Sequence, residues 1–218
     1  MVFKLAAVTV GQSPRDDILP EIQEAIDGKI EITEVGVLDD LTAEEIAAMA
    51  PVGDEARLCT RLRDGSEVVT SKAKTALRLN TVLEELNTGN FDDIVLLCTG
   101  YFDDLHCTRP LIESQRLVDS YLGAMSYGNR RIGVMVPLAE QTNEPKQHAD
   151  YECAAITHAS PYSGDRLREA GEQLVDMDLI VMHCMGYTNA MRQTVMEASG
   201  RPVVLARNVI ASGINQLI

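Results

Sequence analysis

The 218-residue chain carries 33 acidic against 19 basic residues, a net charge of −14 with His neutral, while its 45% hydrophobic and 24% charged residues are ordinary for a folded globular protein. That acidity, with no cationic run beyond the scattered Arg57, Arg61 and Arg63, argues against nucleic acid as a partner, because phosphate backbones are held by clustered Lys and Arg that release counterions. No stretch approaches the roughly 20 apolar residues that span a bilayer, the apolar start ends at Gly11 before it reaches the length of a secretory core, and five cysteines suit a reducing compartment better than a disulfide framework, so a cytoplasmic protein with no membrane partner is expected.

Leu5–Val10 opens the chain as a strand. Gly11 ends it, Ser13 is placed to cap a helix, Pro14 suits a first turn, and Asp16 and Asp17 favour its positive end, which predicts a helix from Pro14 to about Asp27. Glu31–Leu38 reads as a second strand, and Thr42 then caps a short helix closed by Pro51. The turn Arg63-Asp64-Gly65-Ser66 joins two predicted strands, Ala56–Leu62 and Glu67–Thr70. Leu79, Val82, Leu83 and Leu86 give Ser71–Leu86 the spacing of an amphipathic helix, and the apolar strand Asp93–Leu97 then runs into Cys98. Leu111–Tyr121 reads as helical and Gly123–Asn129 as a crossover. From Arg131 the strand pattern restarts, with Arg131–Val136, Ala154–Thr157, a helix at Gly164–Val175, Asp178–Met182 running into Cys184, a helix at Asn189–Ala198 and a strand at Pro202–Leu205. Strands alternating with helices imply βαβ units and mainly parallel sheets. The expected organisation is two α/β lobes, 1–125 completed by 208–218, and 126–207.

Two segments of the chain match without gaps. Asp92-Asp93-Ile94-Val95-Leu96-Leu97-Cys98-Thr99-Gly100-Tyr101 aligns with Asp178-Leu179-Ile180-Val181-Met182-His183-Cys184-Met185-Gly186-Tyr187, six of the ten pairs being identical. A weaker echo relates Ala6–Gly11 to Ile132–Pro137. Each Cys-x-Gly-Tyr lies where an apolar strand gives way to a loop and a helix. Ligands of open α/β sheets bind at such strand ends, where free N–H groups and a partial positive charge favour anions and lower a thiol's pKa from about 8.5. Gly100 and Gly186 let the backbone approach a ligand, and Tyr101 and Tyr187 wall the cleft.

Two thiols offered by pseudo-symmetric halves suit proton transfer between the two faces of a carbon acid, one as thiolate base and the other as thiol acid, facing each other across a cleft about 7–8 Å apart. A proton α to a carboxylate leaves an enediolate-like transition state that backbone donors stabilise. No cofactor is called for. The remaining cysteines, Cys59, Cys107 and Cys153, read as packing residues. His106, His148, His158 and His183 form no ligand pattern, so no metal is expected, and His183, pointing away from Cys184 on its strand, reads as packed or exposed. Neither common Gly-rich phosphate fingerprint occurs. The loop from Gly11 through Ser13 to Arg15 is expected to bind an anion opposite the cysteines.

Val8-Thr9-Val10-Gly11-Gln12-Ser13-Pro14-Arg15, Leu97-Cys98-Thr99 and Cys184-Met185-Gly186 together resemble the AroM family, which looks like a branch of the aspartate/glutamate racemase superfamily. The resemblance implies two pseudo-symmetric Rossmann-like lobes, cofactor-independent proton transfer, and a small-molecule carboxylate as substrate. It matches Cys98 and Cys184 to the superfamily's catalytic cysteines and gives Gly11, Ser13, Arg15, Thr99, Gly100, Gly186 and Tyr187 to substrate binding. Cys184-Met185-Gly186-Tyr187 departs from the Cys-Thr-His stretch of glutamate racemases, which sets this chain apart from the familiar amino-acid substrates. The expected activity is a racemase, epimerase or isomerase; the rival is a carboxylate-binding protein serving aromatic amino-acid metabolism without turnover. A homodimer is the expected assembly, twofold dimers being the commonest closed form.

Overall fold

The computed structural model describes residues 2–143 and 151–218, so His148 lies outside the described residues. In order, β1 (Phe3–Thr9), α1 (Leu19–Glu24), β2 (Ile30–Gly36), α2 (Ala43–Ala48), β3 (Arg57–Arg61), β4 (Glu67–Ser71), α3 (Lys72–Leu86), β5 (Asp93–Leu96), β6 (Leu111–Glu113) and α4 (Ser114–Met125) precede β7 (Ile132–Val136), β8 (Cys153–His158), α5 (Leu167–Glu172), β9 (Leu179–Met182), α6 (Asn189–Ser199), β10 (Val203–Leu205) and α7 (Ala206–Asn215). The fold is α/β, with one parallel four-stranded sheet ordered β2-β1-β5-β6, a second ordered β10-β9-β7-β8, and an antiparallel β3-β4 hairpin.

The duplication read from sequence extends to single hydrogen bonds. Lys4 N–H donates to Asp92 Oδ2 at 2.8 Å and Arg131 N–H to Asp178 Oδ2 at 2.8 Å, each tying the start of a central strand to the aspartate that precedes its neighbour. At the other end Leu97 N–H donates to the Val8 carbonyl and His183 N–H to that of Met135, both at 2.8 Å. The registers Val8↔Leu96 and Met135↔Met182 make Val8 the counterpart of Met135, not of Val134 as the Ala6–Gly11 echo of Ile132–Pro137 implied. That echo is one residue out of register, a slip that exchanges the faces of every side chain; β7 is buried at all five positions, so its pattern carries no alternation to detect the error.

The chain divides into two compact units, the first Met1–Asp16, Asp27–Ser114 and Leu217–Ile218, the second Asp17–Ile26 and Gln115–Gln216. In the first, β1, β5 and α3 bury Ala6, Val8, Ile94, Leu96, Leu79 and Leu83 in one core. In the second, β9, α5 and α6 close over Met135, Ile180, Met182, Ala170 and Val195. The helices α1, α4 and α7 all belong to the second unit, because α7 buries Val209, Ile210 and Ile214, packs so closely on α4 that a Cβ on Gly213 would stand 2.6 Å from Leu117 Cδ2, and receives α1 through the Asn215 Nδ2 bond to the Ala25 carbonyl at 2.6 Å.

The expected helix from Pro14 is also corrected. Residues 14–18 are turn and coil and α1 begins at Leu19, with Pro20 in its first turn, where a missing N–H costs nothing. Leu111–Glu113, expected as helix, is the edge strand β6; the preceding Pro110 disfavours helical backbone at Arg109, and the Pro110 carbonyl accepts from Ile94 N–H at 3.0 Å. The helix expected over Gly164–Val175 is confined to Leu167–Glu172. The capping box at Thr42 and Glu45 and the Ser71 cap of α3 form as their residue types direct.

Candidate active site

In the first unit Cys98 lies two residues beyond β5, beside the end of β1, so the Gly11 loop and the cysteine share the carboxyl edge of one sheet. Cys98 is half-buried, and a Cβ on Gly100 would meet its Sγ at 3.4 Å and Leu58 Cδ2 at 3.0 Å. No helix follows this cysteine before β6 and α4.

The loop expected to receive a substrate anion already holds one of the chain's own. Asp39 accepts from Ser13 N–H at 2.7 Å and Ser13 Oγ at 2.6 Å, from Gly36 N–H at 2.7 Å, and from Arg63 Nη2 at 3.2 Å. Gly11 is pressed against the hairpin, where a Cβ would stand 2.4 Å from both the Arg61 carbonyl and Thr60 Oγ1. Arg15 is buried, donating from its N–H to Glu34 Oε2 at 2.6 Å and from Nη1 to Thr9 Oγ1 at 2.8 Å. Ser13 therefore neither caps a helix nor offers its donors outward, and Arg15 faces the sheet end rather than solvent. The sequence signal for this was Asp39, placed after β2 on the neighbouring strand.

In the second unit Cys184 stands two residues beyond β9 and is only 8% exposed. Gly186 N–H donates to its Sγ at 3.4 Å. Tyr187, with no exposed surface, donates its hydroxyl to the Ala159 carbonyl at 2.6 Å, so it anchors the turn to the loop after β8. Thr188 caps α6 by accepting from Met191 N–H at 3.2 Å, which places a helix N-terminus immediately after the cysteine turn.

Sequence reasoning missed two residues here. Arg207, in the first turn of α7 and wholly buried, donates from Nε and Nη2 to the Met185 carbonyl at 3.1 and 2.6 Å, and its Nη1 lies 3.2 Å from Glu21 Oε2. Glu21 in turn accepts from the backbone and side-chain nitrogens of Asn189, at 3.1 and 2.8 Å, at the first residue of α6. His183 is buried as a packed residue: its Nε2 lies 3.0 Å from Gln115 Nε2, which also donates to Asp119 Oδ2 at 2.8 Å. Cys107 and Cys153 hydrogen-bond neighbouring carbonyls and Cys59 is buried, and no cluster of metal ligands occurs among the described residues.

The family model described as AroM protein matches residues 5–218. The chain belongs to the AroM family. No curated protein matches it in sequence. Among solved structures it is similar to allantoin racemase from Pseudomonas fluorescens, at a TM-score of 0.65 and 12% identity over 99% of this chain and 92% of that one. It is similar also to the aspartate racemase of Picrophilus torridus, at 0.61 and 10% over 98% and 94%, and to a maleate isomerase from Pseudomonas putida S16, at 0.55 and 13% over 100% and 91%. These likenesses show that the AroM chain has the aspartate/glutamate racemase fold. No helix among the described residues is long and apolar enough to cross a membrane.

Proposed function

We propose that this AroM protein is a cofactor-independent racemase, epimerase or isomerase of a small carboxylic acid, with Cys98 and Cys184 as the acid–base pair. The observation that carries the reading is the repeat itself: each sheet ends one central strand in Cys-x-Gly-Tyr, on equivalent backbone bonds. The shared Gly and Tyr follow each cysteine, at the strand ends where open α/β sheets bind ligands. In the proposed reaction one thiolate takes the proton α to the substrate carboxylate and becomes a thiol, and the opposite thiol returns a proton to the other face and becomes a thiolate. Atoms and charge balance with the pair's protonation exchanged. N–H groups around Thr99, Gly100 and Gly186 are the proposed donors for the carboxylate and its enediolate-like form, since Ser13 is engaged by Asp39.

The test is deuterium incorporation at the α-carbon of a panel of small chiral or unsaturated carboxylic acids in D₂O. Incorporation that is lost in Cys184→Ser and confined to one enantiomer in Cys98→Ser supports the reading. Tight binding of an acid with no incorporation at any pH between 6 and 9 would replace it with the carboxylate-binding role.

A further inference from the structure

The second strand end carries a full charge that proton transfer between two thiols does not itself require. A guanidinium stays protonated even when buried, and burying it costs several kcal/mol of hydration that a single carboxylate and a carbonyl must offset. A neutral donor would satisfy the Met185 carbonyl. The registers Leu96↔Glu113 and Met182↔Leu205 make Gln115 the counterpart of Arg207, so the duplicated scaffold accepts a neutral amide at this position. In the second repeat the position holds a cation instead, bonded to the residue adjoining Cys184 on one side and, through Glu21, to the start of α6 on the other.

We propose that Arg207 is the positioning residue that fixes the Cys184 turn and supplies the positive charge under which Cys184 is the thiolate, the base of the pair, with Glu21 setting how much of that charge the sulfur feels. This rests on the reading of Cys184 as an acid–base group. Gly186 N–H, donating to Cys184 Sγ, is oriented for a sulfur that accepts. Burial pushes Arg207 below the ordinary guanidinium value, and Glu21, Asp17 and a negative charge on Cys184 push back; an interaction that favours the cation beside a charged sulfur favours that sulfur's ionisation equally. The other groups facing the turn are His183, one residue beyond β9 and held against Gln115, Tyr187, bonded to Ala159, and Tyr162, whose hydroxyl lies over Gly186.

The experiment is the pH profile of iodoacetamide alkylation at Cys184, followed by peptide mass spectrometry with Cys107 as reference, in the full chain and in Arg207→Gln, Arg207→Lys and Glu21→Gln, each checked for folding by circular dichroism. The alkylation midpoint is expected to rise by about one pH unit or more in Arg207→Gln, to return most of the way in Arg207→Lys, and to fall in Glu21→Gln, where the cation is kept and its carboxylate removed. A structural role alone moves Arg207→Gln and Glu21→Gln in the same direction, and that result, or no shift in either, overturns the proposal. If Arg207→Gln does not fold, Glu21→Gln decides alone: a lower midpoint supports the proposal, and an unchanged or higher one overturns it. The measurement needs no substrate, so expected midpoints together with absent deuterium exchange would reject the acid–base reading and leave the Arg207 assignment in place.

Discussion

The two cysteine turns begin alike and end differently. Cys98 and Cys184 leave their sheets on the same backbone bonds, yet Cys98 is half-buried on a loop that continues to an edge strand, whereas the Cys184 turn is held by Arg207 on Met185, Tyr187 on Ala159 and a capped helix after Thr188. A duplicated strand thus delivers two equivalent thiols, and the turns beyond it make them chemically unequal. The more constrained thiol is the one proposed as the base, and the half-buried one is then the proposed proton donor.

The largest effect that would sharpen this comparison is directional. Removing an acid–base group costs about 10²–10⁴-fold in rate, so both Cys98→Ala and Cys184→Ala should lose interconversion of a racemised substrate by that factor. Cys98→Ala, keeping the base, should still exchange deuterium into one enantiomer, while Cys184→Ala should exchange into neither at neutral pH. Chiral chromatography with mass detection reads both outcomes, and equal one-sided exchange in the two variants would make the thiols equivalent.

A second difference is steric. A Cβ on Gly186 would stand 2.8 Å from the Tyr162 hydroxyl and 2.9 Å from Pro161 Cγ, both on stiff side chains, while at Gly100 the nearest atom is Leu58 Cδ2 at 3.0 Å, the end of a flexible one. Gly186→Ala is expected to cost about 1–3 kcal/mol, the usual range for overpacking, and Gly100→Ala less than that. Urea denaturation of the two variants measures the contrast, and equal costs would remove it. Tyr187→Phe isolates the anchor itself: the Ala159 carbonyl loses the hydroxyl, at about 1–3 kcal/mol for a buried acceptor left unpaired, without touching Cys184 or Arg207.

How far all this was legible depends on the range of the interaction. The parallel sheets, the hairpin, α3 and the two strand-end cysteines announce themselves in local patterns, because a strand buried on both faces is a short apolar run and a duplicated one is a repeat. The false helix at Pro14 arose because Ser13, Pro14, Asp16 and Asp17 carry the marks of a helix start, yet Asp39 draws Ser13 into a different bond. Arg207 was invisible for a different reason: one arginine near the start of an apolar helix reads as a solvated residue until Glu21, far away in sequence, is brought beside it. The repeat contained a hint, since extending it past β6 and β10 sets Arg207 opposite Gln115. Strand patterns likewise say nothing about helices that pack outside their own repeat.

The smallest expected effect sharpens the comparison from the alkaline side, and it belongs to the second unit alone. Tyr151, on the segment leading into β8, has its hydroxyl pushed above the ordinary phenol value of about 10, chiefly by burial and further by the charges of Asp119 and Cys153. Because the folded state holds this proton more tightly than the unfolded chain does, the unfolded chain releases it first as pH rises, and stability falls once pH exceeds the unfolded value. The contribution is fully present below pH of about 10 and is lost progressively above it. Tyr151→Phe removes the ionising group, so its denaturation midpoint should decline less between about pH 9 and pH 11 than that of the parent chain, with the two curves parallel below pH 9. Near-ultraviolet absorbance of the phenolate identifies the ionising tyrosine in the same titration. Curves that stay parallel through pH 11 would assign the alkaline loss to other groups.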